Sequence, residues 1–273
     1  MKKKRYPITS KKRTLTSALS RGRGLIKKKL GKEKLTKLRN IERKHISGKT
    51  SLSRNTRNGR LKPSRKRLHN RIIKKQFRKK GSIDRKDPDL YIFGGLPASG
   101  KTTVLAKKVP EKTIVIDSDG YKGKLSKHSK SPMKGFKLAH AGLLHDEADL
   151  LVNRAVNKAI KQKRNVTYDA TMKSLDKGKK LIQKFKKAGY DVHYLSTQKK
   201  PSTTLVHASK RFLKSGRYVS LDYIKTYGNQ ISKNSWKAKK YGDTYQVYDT
   251  NSIKKPKLVS KSKKSMKHNF RNP

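Results

Sequence analysis

The chain is 273 residues long, enough for one sizeable domain with an extension or two small domains, and it has no cysteine, which excludes disulfides and thiolate metal sites. Its 75 Lys and Arg against 17 Asp and Glu give a formal charge of +58, so a polyanion partner is expected, nucleic acid first, with an attraction that weakens steeply in salt. No apolar run approaches the roughly 18–20 residues of a membrane span. No apolar signal-peptide core follows the basic opening residues, so a cytoplasmic protein with no membrane partner is the expectation.

Residues 1–88 carry 34 Lys and Arg against four acidic residues, and Tyr6 and Phe77 are their only aromatics. Such composition predicts a largely irregular or short-helical extension that orders on contact with phosphates rather than on its own core. Two pieces have helical spacing: 32–45, with Leu35, Leu38 and Ile41, and 68–80, with Leu68, Ile72, Ile73 and Phe77. The polar stretch 48–64 reads as a linker between them.

From residue 89 to residue 252 apolar runs alternate with helical stretches. Strands are expected at 90–93, 113–117, 165–168, 192–195 and 245–248, and helices at 101–108, 143–163, 175–188, 203–214 and 221–239. This alternation predicts an α/β fold with a parallel sheet flanked by helices, in which ligands sit at the carboxyl ends of the strands. The residues that leave the first strand, Gly95, Leu96, Pro97, Ala98, Ser99, Gly100, Lys101, Thr102 and Thr103, contain the full pattern G-x-x-x-x-G-K-[ST]. Glycines let successive N–H groups curl around phosphate oxygens. Lys101 would reach the β- and γ-phosphates, and the Thr102 hydroxyl would hold Mg²⁺.

Further acidic groups follow the next strands. Asp117 and Asp119 follow the second, and either carboxylate suits a proton acceptor or a water-bridged Mg²⁺ site. The third is followed by Asp169, with Thr171 and Lys173 close behind. Glu147 opens a long helix; its plain reading is complementation of the helix dipole. Arg211 and Arg217 flank Gly216, an arrangement suited to a mobile lid whose arginines close over a triphosphate. The last stretch, 253–273, is a basic tail expected to leave the fold and add to polyanion contact.

Taken in order, the loop 94–102, the Asp119 segment, the helix opening at His145 to Ala148, the strand leading into Asp169 and Thr171, and the Arg211 to Arg217 segment resemble the zeta-toxin family of P-loop kinases over residues 87–260. The resemblance implies an ATP- or GTP-dependent, Mg²⁺-requiring phosphotransferase acting on a small hydroxyl substrate, in the toxins the 3′-hydroxyl of a UDP-activated amino sugar. By position it implies Asp119 as general base, with Glu147, Asp169, Thr171 and Lys173 at the substrate. Lys101, Arg211 and Arg217 would act on the transferring phosphate. An antitoxin partner is implied too, and a phage capsid partner if the chain is virion-associated. The chain departs from the pattern in three places: Asp169 for the common Glu, Lys173 for a common Arg, and Ser126 where proline is usual. Two other functions remain open, a structural nucleic-acid-binding protein with a weakly active kinase fold, and a kinase of nucleosides or polynucleotide ends.

Overall fold

The computed structural model describes residues 6–78, 86–129, 136, 138–252 and 255–264. The end of the second expected N-terminal helix (79–80) and residues 265–273 of the expected tail lie outside them.

The N-terminal region corrects the expectation of an irregular or short-helical arm. Helix α1 (Lys12–Ile46) spans 35 residues and is broken once, at Gly31, where φ is 72°. Its apolar residues are sparse but fall once or twice per turn: Leu15, Ala18, Leu19, Ile26, Leu30, Leu38 and Ile41 are all buried. One narrow stripe suffices because other helices supply the rest of the core. The stretch expected to be a linker also has structure, namely α2 (Ser51–Asn55) and a tight hairpin of β1 (Thr56–Arg57) and β2 (Arg60–Leu61). Asn58 and Gly59 both have positive φ, the geometry that an Asn-Gly hairpin turn supplies. Helix α3 (Pro63–Arg78) buries Leu68, Ile72 and Ile73, as its spacing predicts.

The α/β unit follows. It consists of β3 (Asp89–Gly94), α4 (Lys101–Leu105), β4 (Ile114–Asp117), α5 (Ser118–Ser126), α6 (His145–Lys161), β5 (Val166–Asp169), α7 (Leu175–Lys187), β6 (Asp191–Gln198), α8 (Pro201–Ser215), α9 (Leu221–Ala238), β7 (Thr244–Asp249) and β8 (Lys257–Lys261). Strand order is β4-β5-β3-β6-β7-β8; the first five strands run parallel and β8 is antiparallel to β7. Strand β3 is buried along its whole length, which explains why Leu90 to Phe93 is continuously apolar rather than alternating. Part of the stretch expected to leave the fold thus closes the sheet edge as β8.

Leu205, Ala208 and Phe212 of α8 and Leu221 and Ile224 of α9 form a second core with the α1 stripe. Leu68, Ile72 and Ile73 of α3 instead join the main core with α6 and the sheet. Because the chain moves from β3 out to β4, back to β5, and then across to β6, the strand order reverses around β3. The carboxyl end of β3 is therefore where such a sheet opens a ligand crevice.

Candidate active site

The loop after β3 is held against β6. Gly95 has φ of 134°, and a Cβ there would lie 2.6 Å from Thr197 Oγ1 and 2.9 Å from the Thr197 carbonyl. Only glycine fits both the angle and the space. Ser99 Oγ lies 2.7 Å from Thr197 Oγ1, and Thr250 Oγ1 donates to the Ser99 carbonyl at 2.7 Å. Sheet residues thus fix the loop before any ligand enters. Lys101 is buried, and its ammonium donates to the Gly95 and Leu96 carbonyls at 2.9 and 3.4 Å. It also stands 3.2 Å from Asp169 Oδ1.

The two acidic strand ends are neighbours, since Asp117 and Asp169 are register partners on β4 and β5. Asp117 is occupied as the cap of α5: its carboxylate accepts from the Asp119 and Gly120 N–H groups at 2.9 and 3.0 Å. That cap places Asp119 in the first turn of α5, where its carboxylate pairs with Arg217 and, at 3.0 Å, with Lys122. Burial pushes the Asp119 pKa up, but the Lys122 and Arg217 charges outweigh it and hold the group well below the usual carboxylate range. Asp169 moves the other way. Burial raises it, Lys101 opposes this only in part, and the neighbouring Asp117 charge adds to the rise. Asp119 and Asp169, two carboxylates of one cleft, are thereby pushed in opposite directions, a pattern common where one group must stay ionised.

Arg211 lies on α8, and Gly216, with φ of 69°, ends that helix just before Arg217. Arg211 Nε and Nη2 and Arg217 Nε are buried without a hydrogen-bond partner among the described residues. Burial, and then the Arg217 charge, lower the Arg211 pKa. Unpartnered buried guanidinium donors are costly unless an anion completes them. Together with Lys101 and the Thr102 hydroxyl, they are suited to a nucleoside triphosphate and its Mg²⁺.

One cleft of about 1570 Å³ gathers Leu96 to Thr103, Asp119, Asp169, Thr171, Lys173, Arg211 and Arg217. The Lys173 ammonium lies 3.8 Å from the Tyr227 ring centroid, and its carbonyl accepts from Gln230 and Asn234. Burial pushes the Tyr223 pKa up, and the nearby Thr171 side chain offsets this only in part.

Glu147 is the exception and corrects the position-based expectation. It is fully buried and lines no part of this cleft. Its carboxylate accepts from Arg65 Nε at 2.5 Å, Arg65 Nη2 at 2.9 Å and Ser51 Oγ at 2.6 Å, with His69 Nε2 at 2.8 Å. Glu147 therefore ties α2 and α3 to α6. The opposite face of α6 lines the cleft through His145, Asp149, Val152, Asn153 and Val156, so the acidic cleft residue on this helix is Asp149. Sequence reading missed it, although the i, i+4, i+7 spacing from His145 was available. It also missed Ile41, Glu42 and His45, by which α1 reaches the cleft; Glu42 accepts from the Tyr218 hydroxyl at 2.6 Å.

The fold, the glycine-rich loop and the converging cations define a P-loop nucleotide-binding α/β protein. The family model for zeta toxin matches residues 73–256. The chain belongs to the zeta-toxin family and is a nucleotide-binding phosphotransferase of the P-loop kinase class. No curated protein matches the chain. Among solved structures it resembles the PezAT chromosomal toxin–antitoxin system of Streptococcus pneumoniae, at 19% identity over 76% of this chain and 83% of that one, TM-score 0.54. It also resembles the AvrRxo1-ORF1:AvrRxo1-ORF2 complex, at 18% identity over 74% and 69%, TM-score 0.57. The ATP-bound form of that complex gives 16% over 74% and 68%, TM-score 0.56. At these identities the structural likeness concerns the fold alone.

Proposed function

We propose that the chain transfers the γ-phosphate of ATP or GTP to a hydroxyl of a small acceptor bound beside the loop. The observation that carries this reading is the gathering of Lys101, Asp119, Arg211 and Arg217 in one cleft. The loop N–H groups from Gly95 to Thr103 would cradle the phosphates, and Lys101 would exchange its carbonyl contacts for phosphate oxygens. Thr102 would hold Mg²⁺, which when bound neutralises charge on the phosphate oxygens. Asp119 takes the proton as the acceptor O–H bond breaks, the acceptor oxygen bonds the γ-phosphorus, and the bond to the departing diphosphate opens. For this Arg217 must leave Asp119 for the phosphate, which frees the base as the substrate arrives. Asp169, Thr171 and Lys173 would position the acceptor.

A UDP-amino sugar fits the proposal, because Lys177, Lys180 and Lys184 line the same cleft and suit an acceptor that carries its own phosphates. An antitoxin-like protein is the proposed partner, since the similar PezAT and AvrRxo1 structures are toxin–antitoxin and two-protein assemblies. The +58 charge supports nucleic-acid binding in addition. It also favours a second reading, a structural nucleic-acid-binding protein with little turnover. The test is incubation with γ-labelled ATP, Mg²⁺ and a panel of UDP-sugars, nucleosides and oligonucleotides, with Lys101→Ala alongside. Label on a UDP-sugar in the parent alone supports the first reading. No labelled acceptor, with strong retention of nucleic acid, favours the second.

A further inference from the structure

Helix α1 contains thirteen Lys and Arg against two Glu, and all thirteen are exposed. Its apolar stripe is spent on the core it shares with α8 and α9. The charge it offers to solvent is therefore predominantly cationic, on a helix fixed in place before any partner arrives. Arg23 is paired with Asp222 and Lys37 with Glu33. Lys27, Lys28, Lys29 and Lys32, around the Gly31 break, have no ion-pair partner among the described residues.

We propose that the outward face of α1 binds the phosphate backbone of duplex nucleic acid. This rests on the reading that the chain's charge serves nucleic acid, and it names the surface and the form of the partner. At about 1.5 Å per residue the two arms of α1 on either side of the Gly31 break, 12–30 and 32–46, are ~28 and ~22 Å long, each comparable with ~7–8 base pairs of duplex. A membrane surface is the weaker fit: amphipathic helices bind bilayers through an apolar face, and that face of α1 is already buried. Protein partners call for large aromatic and apolar anchors, and α1 has no Phe, Tyr or Trp. The same lack disfavours single strands, which are held by stacking bases on aromatic rings. What remains is a row of exposed cations, which suits contact with the phosphate backbone. Because the cations are carried on a packed helix, binding requires no folding of a disordered arm.

The test uses the full chain and a 30-base-pair random-sequence DNA duplex, titrated at several salt concentrations. The variant is Lys27→Gln, Lys28→Gln, Lys29→Gln and Lys32→Gln together. A charge-matched control replaces Lys161, Lys187, Lys233 and Lys237, all exposed on the α/β unit, by Gln. The α1 variant is expected to lose at least about tenfold in affinity, and its log–log salt slope should fall by about 3–4, at roughly 0.9 per lost phosphate contact. The control should lose less than about threefold with an unchanged slope, and both should keep the parent melting temperature. Equal losses in the two variants, or none in either, would overturn α1 as the surface while leaving nucleic-acid binding intact. Tighter binding of a 30-nucleotide single strand, or of phosphatidylserine vesicles, would overturn duplex as the partner. A parent that binds no duplex at about 100 mM salt overturns the underlying reading and this one together.

Discussion

Replacing Glu147 separates the role its position implies in the family from the role its surroundings give it. In Glu147→Ala the Arg65 guanidinium, the His69 ring and the Ser51 hydroxyl lose their shared acceptor in a buried site. Removing one partner from a buried ion pair typically costs about 3–5 kcal/mol. The pKa gives a second route to the magnitude. Burial would raise it, but hydrogen bonds from His69, Arg65 and Ser51 bring it from 4.5 to about 2. At 1.36 kcal/mol per unit that shift corresponds to about 3 kcal/mol. The two figures agree in size, and for a chain of this length they imply a fall in Tm of ~6–20 °C. Because the folded pKa is depressed, this stability is present above the unfolded value of about 4.5 and is lost as pH falls towards 2. Glu147→Gln should therefore flatten the acid branch of the stability profile. Urea unfolding between pH 2 and 7 gives the free energies, and phosphotransfer measured well below the variant's Tm gives the activity. The reasoning is refuted if Glu147→Ala unfolds within about 1 kcal/mol of the parent while its KM for the acceptor rises sharply.

Three other outcomes follow from the same geometry. Since Lys122 and Arg217 keep Asp119 ionised despite its burial, the acid limb of kcat/KM should lie below the ordinary aspartate range, and Arg217→Gln should move it upward; a pH–rate profile reads this. Gly95→Ala forces a Cβ against Thr197 at a φ of 134°, so nucleotide affinity measured by calorimetric titration should fall well over tenfold, with a stability loss of about 1–3 kcal/mol. Leu19→Ala in α1 should cost about 2–5 kcal/mol because Leu19 is buried at 5% exposure; a flexible arm would show no change by urea unfolding.

The sheet was legible because short strand-like runs alternate with helical stretches from β3 to β7. The loop was legible because its glycines and lysine occur at a spacing that one geometry demands. The second part of α1 was legible from Leu35, Leu38 and Ile41, but its first part, 12–30, was hidden by averaging: its apolar residues are outnumbered by cations, and only a register reading from Leu15 through Leu30 reveals the stripe. The Asn58-Gly59 turn was a local signal passed over inside a polar stretch. Strand β8 was obscured because lysines at both ends, suited to a sheet edge, resemble a disordered tail. The surroundings of Glu147 could not be read locally, since Ser51, Arg65 and His69 lie 96, 82 and 78 residues upstream. The unpartnered donors of Arg211 likewise depend on tertiary burial that no local pattern encodes.

The most direct test of the cleft as a phosphotransfer site is a single-turnover measurement with γ-labelled ATP and the best acceptor, comparing the parent with Asp119→Asn and Lys101→Ala. Asp119→Asn should bind ATP as the parent does yet transfer label about 10²–10⁴ times more slowly, the usual contribution of a general base. Lys101→Ala should lose both binding and transfer. Parent-like transfer by Asp119→Asn, or ATP binding undiminished in Lys101→Ala, would contradict it.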